Sequence, residues 1–264
     1  MKELNSTDDV LKVLDDIIQV SERTNDPRGY FAVIYRRVTW KVKEGIETGY
    51  FDDTERMEKL DIIFAKRYFD AYYEYEANGR ATASWELAFL YARKYWPVIL
   101  QHLLIGMNAH INLDLGIAAA EVSKKKNIED LRDDFYRINY ILASLVDEVQ
   151  DNLSTIWKPL RPLLKKTGKY DNMVVDFSME LARDGAWRFA KELAAKKESE
   201  KDECIALRDQ TIAKKANLVT NPGMLGNILL GLVRLGEKGS VSAKLEKLKY
   251  VSDERSVNQS VLSP

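Results

Sequence analysis

One cysteine and two histidines are all that 264 residues supply of the side chains that most often bind transition metals or act as nucleophiles. The single thiol, Cys204, excludes an intramolecular disulfide, and a cysteine-based zinc site would need other residue types to complete it. Charge imbalance is missing as well. Against 40 Lys and Arg stand 41 Asp and Glu, a formal charge of −1, so the chain as a whole exerts no pull on nucleic acid or an anionic membrane. The longest apolar-leaning run, 224–235, is interrupted by Gly226, Asn227, Gly231 and Arg234 and falls short of the ~20 residues of a spanning helix. The first residues lead into an acidic amphipathic segment instead of a basic-then-apolar export signal, so a cytoplasmic location is expected. There is no Gly-rich phosphate loop, no Gly-x-Ser-x-Gly elbow, no His-Glu-x-x-His and no repeated Glu-x-x-His. Common nucleotide-dependent and nucleophilic classes are thereby removed, a metal role is weakened, and no metal or cofactor is implied.

What is present is helical periodicity. No segment sustains the two-residue alternation of a half-buried strand, so the fold class expected is all-α, a single-domain irregular bundle of about eight to nine helices. Val10, Leu11, Leu14, Ile17 and Ile18 form one stripe of a first helix, and Asp26-Pro27 reads as the start of a second that ends near Gly49. Asp53 is placed to cap a third, closed by Asn78-Gly79, before a short fourth. A fifth is expected from Pro97 to about Lys124, a sixth from Leu131 to Ile156, a seventh from about Asp171 to Lys197, an eighth to Thr220 and a last one after Pro222. Residues 1–238 form the expected helical domain, and 239–264 a flexible polar tail with too few large apolar residues to fold back.

Both histidines fall on the fifth helix, in the stretch Gln101 to Leu115, among large aliphatic side chains. Hydrogen-bonding groups carried into an apolar interior are costly unless paired with each other, with water or with a ligand, which makes this stretch the place to look for a site. At about 100° per residue, Gln101, Asn108 and Asn112 share one side, and Met107, His110 and Asp114 cluster about half a turn away with His102 adjoining. His110 and Asp114 stand four residues apart, so imidazole and carboxylate meet on one turn. The carboxylate fixes the tautomer and leaves the second ring nitrogen to act as base, acid or ligand. The same pair also serves as a buried brace between helices, and the sequence leaves both readings open. His102 lies about 12 Å along the axis from His110, too far to share one ion. Asn108 and Asn112 form a ladder that suits either a small ligand or the exposed carbonyls of a neighbouring helix end. Asn139 and Gln150 border the apolar stripe of the sixth helix and are candidate pocket residues. On the third helix, Asp61 and Arg67 sit between apolar positions, as an internal ion-pair element or as a guanidinium that reaches an anionic ligand.

Three segments resemble a bacterial family known as domain of unknown function 5995. They are Tyr30-Phe31-x-x-x-Tyr35-x-x-Val38-Thr39, Phe64-Ala65-x-Arg67-Tyr68-Phe69-Asp70-Ala71 and Gly106-Met107-Asn108-Ala109-His110-Ile111-Asn112-x-Asp114-Leu115, with Ala182-Arg183-x-x-Ala186-Trp187 as a weaker fourth. The resemblance covers about residues 27–195 and is most specific at Asn-Ala-His-Ile-Asn. It implies one helical domain with a shared site and supplies no chemistry. Two functions stay open. One is a buried polar site for a small-molecule ligand or acid–base chemistry, and the other a non-catalytic structural or protein-interaction module; the oligomeric state is left open.

Overall fold

The computed structural model describes residues 3–124, 126–138, 141 and 179–249, and among these the only regular structure is helical. Ser6 starts α1 (Thr7–Thr24) by accepting the Asp9 amide, and Asn25 ends it in the left-handed region at φ 55°. Helix α2 (Gly29–Glu47) begins two residues later than Asp26-Pro27 implied. Asp26 still accepts from the Arg28 amide at 2.9 Å, the bond of an N-cap before Pro27, and also pairs with the Arg28 guanidinium across the bend. Helix α3 (Thr54–Asn78) has Asp53 accepting from the Arg56 amide and Gly79 at φ 67° closing it, as the sequence signals indicate.

Helix α4 (Ala83–Ala92) is followed by α5 (Ile99–Ala109), a π-helical turn (His110–Asp114) and α6 (Leu115–Val122), which together form one rod. A single turn at Ile128–Leu131 leads into α7 (132–138). Then come α8 (Met179–Ala195), α9 (Glu198–Lys215), the short α10 (Asn217–Thr220), α11 (Gly223–Gly236) and α12 (241–249). The expected eighth helix is thus divided at Ala216.

Segment 241–249, assigned from sequence to the flexible tail, is a helix. Leu245 and Leu248 are fully buried beside α1 and α2, Lys249 pairs with Glu22, and the Ser242 amide donates to Asn25. Two leucines one turn apart are enough to seat it, which a count of polar residues overlooks.

The rod α5–α6 is the centre of the molecule, touched by α2, α3, α4, α8 and α9. Its span Ile99–Val122 is long and apolar enough to cross a bilayer, a longer apolar segment than the one singled out from sequence, but 94% of its apolar window is buried inside the fold. Burial on all sides explains why it is hydrophobic all round. Two apolar clusters meet along the rod. One gathers α1 to α5 with Leu230, Val233, Leu245 and Leu248; the other gathers Val42, Met57, Leu60, Leu115, Phe135, Ala186 and Trp187. Val38, Phe64 and Met107 border both, and so mark the seam.

Three successive helices have their N-termini closed by carboxylates from far along the chain. Asp134 accepts from the amides of Asp52 and Asp53 ahead of α3, at 2.8 and 2.9 Å. Asp209 accepts from Ala83 and Ser84 at the start of α4, at 2.5 and 2.9 Å, and from the Ser84 hydroxyl at 2.6 Å. Glu237 accepts from the Ile99 amide that opens α5 at 3.1 Å. Each supplies an acceptor to amides that have none within their own helix, and a negative charge to the positive end of the dipole.

Candidate functional site

The rod changes its winding at the two residues of interest. Across His110–Asp114 the backbone closes through the Leu115 amide to the His110 carbonyl, one residue further than in an α-helix. The wider turn leaves carbonyls to be met from outside, and Arg208 Nε donates to the Asn112 carbonyl at 3.1 Å. Gly106, one turn earlier, lets Phe31 of α2 lie directly on the backbone; a Cβ there would sit 2.6 Å from the Phe31 ring.

Asp114 is completely buried and accepts from three directions. Trp85 Nε1 donates to its Oδ2 at 2.8 Å, His110 Nδ1 stands 3.1 Å from the same oxygen, and Arg67 Nε donates to Oδ1 at 3.3 Å. Trp85 and Arg67 can only donate, and the Arg67 charge favours a carboxylate, so Nδ1 of His110 carries the proton. Burial pushes the His110 pKa down, the bond to Asp114 opposes this, and the net direction is downward: the ring is neutral. Its Nε2 is therefore a bare acceptor, buried and without a hydrogen-bond partner among the described residues.

The imidazole lies in an aromatic box. Phe64 stacks on one face at 3.6 Å between ring centroids and 10° between planes, and Tyr35 meets it edge-on at 4.4 Å. Phe31, Tyr68 and Trp85 complete the box at 5.7, 6.0 and 5.8 Å. On one side this box lies next to partly exposed residues. From Gln101 to Ala120 every residue of the rod is buried except Met107, and Phe64 and Arg67 beside it are also part-exposed. The dyad thus sits at the seam of the two apolar clusters, behind Phe64, and Val38, Phe64, Arg67 and Met107 are partly exposed side chains that border it.

The other residues singled out from sequence divide. Arg67 joins the dyad. Asp61 is buried one step away, on the far side of Tyr35; burial raises its pKa to about 7, with the Glu58 charge adding to the effect. Burial and the Asp61 charge also push the Tyr35 hydroxyl well up. Asn108 donates to the Ile212 carbonyl at 3.0 Å, and Asn112 donates to Asn108 Oδ1 at 3.3 Å. Gln101 donates to the Val219 carbonyl and the Tyr91 hydroxyl. The amide strip therefore faces the last turns of α9 and α10 and docks them, away from the imidazole. His102 packs against Tyr30 of the first cluster and against Tyr91, and burial lowers its pKa to about 4. Asn139 and Gln150 lie outside the described residues. Tyr35 and Phe64 were not identified from sequence as site residues, Met107 was placed beside His110 only as a neighbour on the helix, and the part of Trp85 as donor to Asp114 was not read. A tryptophan on a short apolar helix needs an acceptor for its N–H, and that requirement was the available signal. Among the described residues no three His, Cys, Asp or Glu side chains converge as metal ligands.

The model of a family of unknown function, DUF5995, matches residues 7–222, which take in the dyad, the box and the carboxylate that caps α4. The chain belongs to this family. No curated protein matches the chain, and no solved structure does. The DUF5995 match reaches past the span of about 27–195 over which the resemblance was legible and includes α1 and α9. Within it lie both residues that hold the site from the side, Trp85 on α4 and Arg67 on α3.

Proposed function

We propose that this DUF5995 protein binds a small molecule at the His110–Asp114 pair, and that His110 Nε2 accepts a hydrogen bond or a proton from it. The observation that carries this reading is the state of the imidazole. One nitrogen is fixed by a buried carboxylate, and the other is a neutral acceptor with no partner among the described residues, in an interior where leaving one unmade costs about 1–3 kcal/mol. Asp114 orients the ring, Trp85 and Arg67 orient Asp114, and a ligand that offers an O–H or N–H beside an apolar body fits the aromatic walls. Local π turns are frequent at functional sites, and this one carries the dyad itself.

A second reading is favoured by the amide strip, whose members are engaged with α9 and α10: the polar residues of the rod form an internal network and bind nothing. Reaction with diethyl pyrocarbonate separates the two, because the chain has only two histidines and cleavage at Met107, between them, puts them on separate peptides. With the fold intact, His102 is the more exposed ring, 9% against 2%, but a site that admits a ligand requires His110 to react as well. A screen of small hydroxylated and amino compounds by thermal shift should then yield stabilisers whose effect vanishes in His110→Gln. A His110 that reacts only on unfolding, together with stabilisers unaffected by His110→Gln, overturns the assignment.

A further inference from the structure

The charge balance of the chain is not evenly spread. Stretches 87–113 and 210–236 contain no aspartate or glutamate, although the chain has 41 such residues, and both carry exposed cations: Arg93 and Lys94 in one, Lys214 and Lys215 in the other, with Lys238 just beyond. The two stretches meet in space. Arg234 of α11 donates to the Tyr95 carbonyl at 2.8 Å and lies over the Tyr95 ring at 4.6 Å, and Val219 packs with Tyr91 and Leu104. The same face exposes apolar side chains. Helix α11 buries Leu230 and Val233 in the core, while Met224, Ile228, Leu232 and Leu235 are 53–77% exposed along its other side. Tyr95 and Trp96, 73% and 64% exposed, stand beside the C-terminal end of this helix with their rings 5.7 Å apart.

We infer that this face docks on an anionic lipid surface, with α11 lying in the plane of the interface. Three features favour lipid over a protein partner. The exposed apolar stripe runs straight along one helix of 14 residues, about 21 Å, and the chain that leads into and out of this helix carries exposed Lys214, Lys215 and Lys238, with no acidic residue between 210 and 236. A Tyr-Trp pair sits where the apolar stripe meets the basic residues, the place such rings take at a bilayer boundary. The formal charge of −1 gives no long-range attraction, so binding must come from the local field of Lys94, Lys214, Lys215 and Lys238, which falls off within a Debye length. This is attachment at the surface and leaves the buried rod where it is.

The test is sedimentation of the full chain with vesicles of phosphatidylcholine containing about 30% phosphatidylserine, and with phosphatidylcholine alone, at low and high salt. Binding is expected to the anionic vesicles, to weaken strongly at 0.5 M salt, and to be accompanied by a blue shift of tryptophan emission that Trp96→Phe removes. Each lysine near such a surface contributes about fivefold, so Lys214→Gln with Lys215→Gln should lower partitioning about 30-fold. Ile228→Asp, at an exposed position that leaves the core untouched, should lower it at least about tenfold. Absence of binding by the unaltered chain overturns the inference, as does binding that neither the lysine pair nor Ile228→Asp diminishes. Self-association in solution that Ile228→Asp abolishes would assign the face to a second copy, and overturns it equally.

Discussion

Replacing Asp114 tests the centre of the structure. Its side chain is fully buried, and two of its donors, Trp85 Nε1 and His110 Nδ1, have no other acceptor among the described residues. Arg67 is different, since its side chain keeps 29% exposure and can turn to water. Asp114→Ala therefore strands two buried N–H groups at about 1–3 kcal/mol each, a loss of about 2–6 kcal/mol. Asp114→Asn keeps one oxygen for Trp85 and His110 and turns its NH₂ toward Arg67, which then swings outward; the loss should be about 1–3 kcal/mol. At about 2–4 °C per kcal/mol for a chain of this size, the Asn variant should melt about 2–12 °C lower. Trp85→Phe removes one donor and should cost about 1–2 kcal/mol alone. In urea denaturation, the double variant Trp85→Phe/Asp114→Asn should lose less than the two singles together, with a coupling of about 1–2 kcal/mol. Additivity to within about 0.5 kcal/mol would mean that the indole and the carboxylate do not interact, and would remove the basis for an oriented imidazole.

Three further outcomes follow from the geometry. Asp61 has a folded pKa raised to about 7, above its unfolded value, so protonation relieves it: its burden is absent below about pH 4, grows as pH rises, and is complete above pH 7. Asp61→Asn should accordingly be more stable than the parent at pH 8, and this advantage should shrink by up to about 1.4 kcal/mol per pH unit as pH falls from 7 to 4; an advantage constant with pH refutes the shift. Asp209→Ala should cost about 1–3 kcal/mol by opening the start of α4, read as earlier urea unfolding, and a neutral result would deny the remote cap. Gly106→Ala places a methyl against Phe31 and should destabilise by about 1–3 kcal/mol while lowering His110 reactivity toward diethyl pyrocarbonate; a stable, equally reactive variant would show that the box tolerates displacement.

Sequence periodicity carried the helices well where burial is one-sided. The stripe of α1, the Asp53 start and the Gly79 stop of α3 are local chemistry, and local chemistry is what a linear pattern encodes. The dyad was legible for the same reason, being an i,i+4 pair on one helix. The π turn was not, because it depends on what α8 and α9 offer to the loosened backbone, as Arg208 does for Asn112. Trp85, Phe64 and Tyr35 come from other helices and become neighbours of His110 only through packing. The amides show the converse. Gln101, Asn108 and Asn112 were visible as a strip, yet which partner they meet is decided by the break at Ala216, which turns the Ile212 and Val219 carbonyls toward them.

The remote carboxylates set an order on assembly. Helix α4 brings Trp85 to Asp114, but its first amides are answered only by Asp209, and α5 waits in turn for Glu237. A nascent chain that has emerged only as far as α8 therefore holds the residues of the dyad without the means to fasten them, and should stay sensitive to protease around residues 80–100 until α9 arrives. Synthesis runs from the first helix, whereas closure of the centre runs from the last.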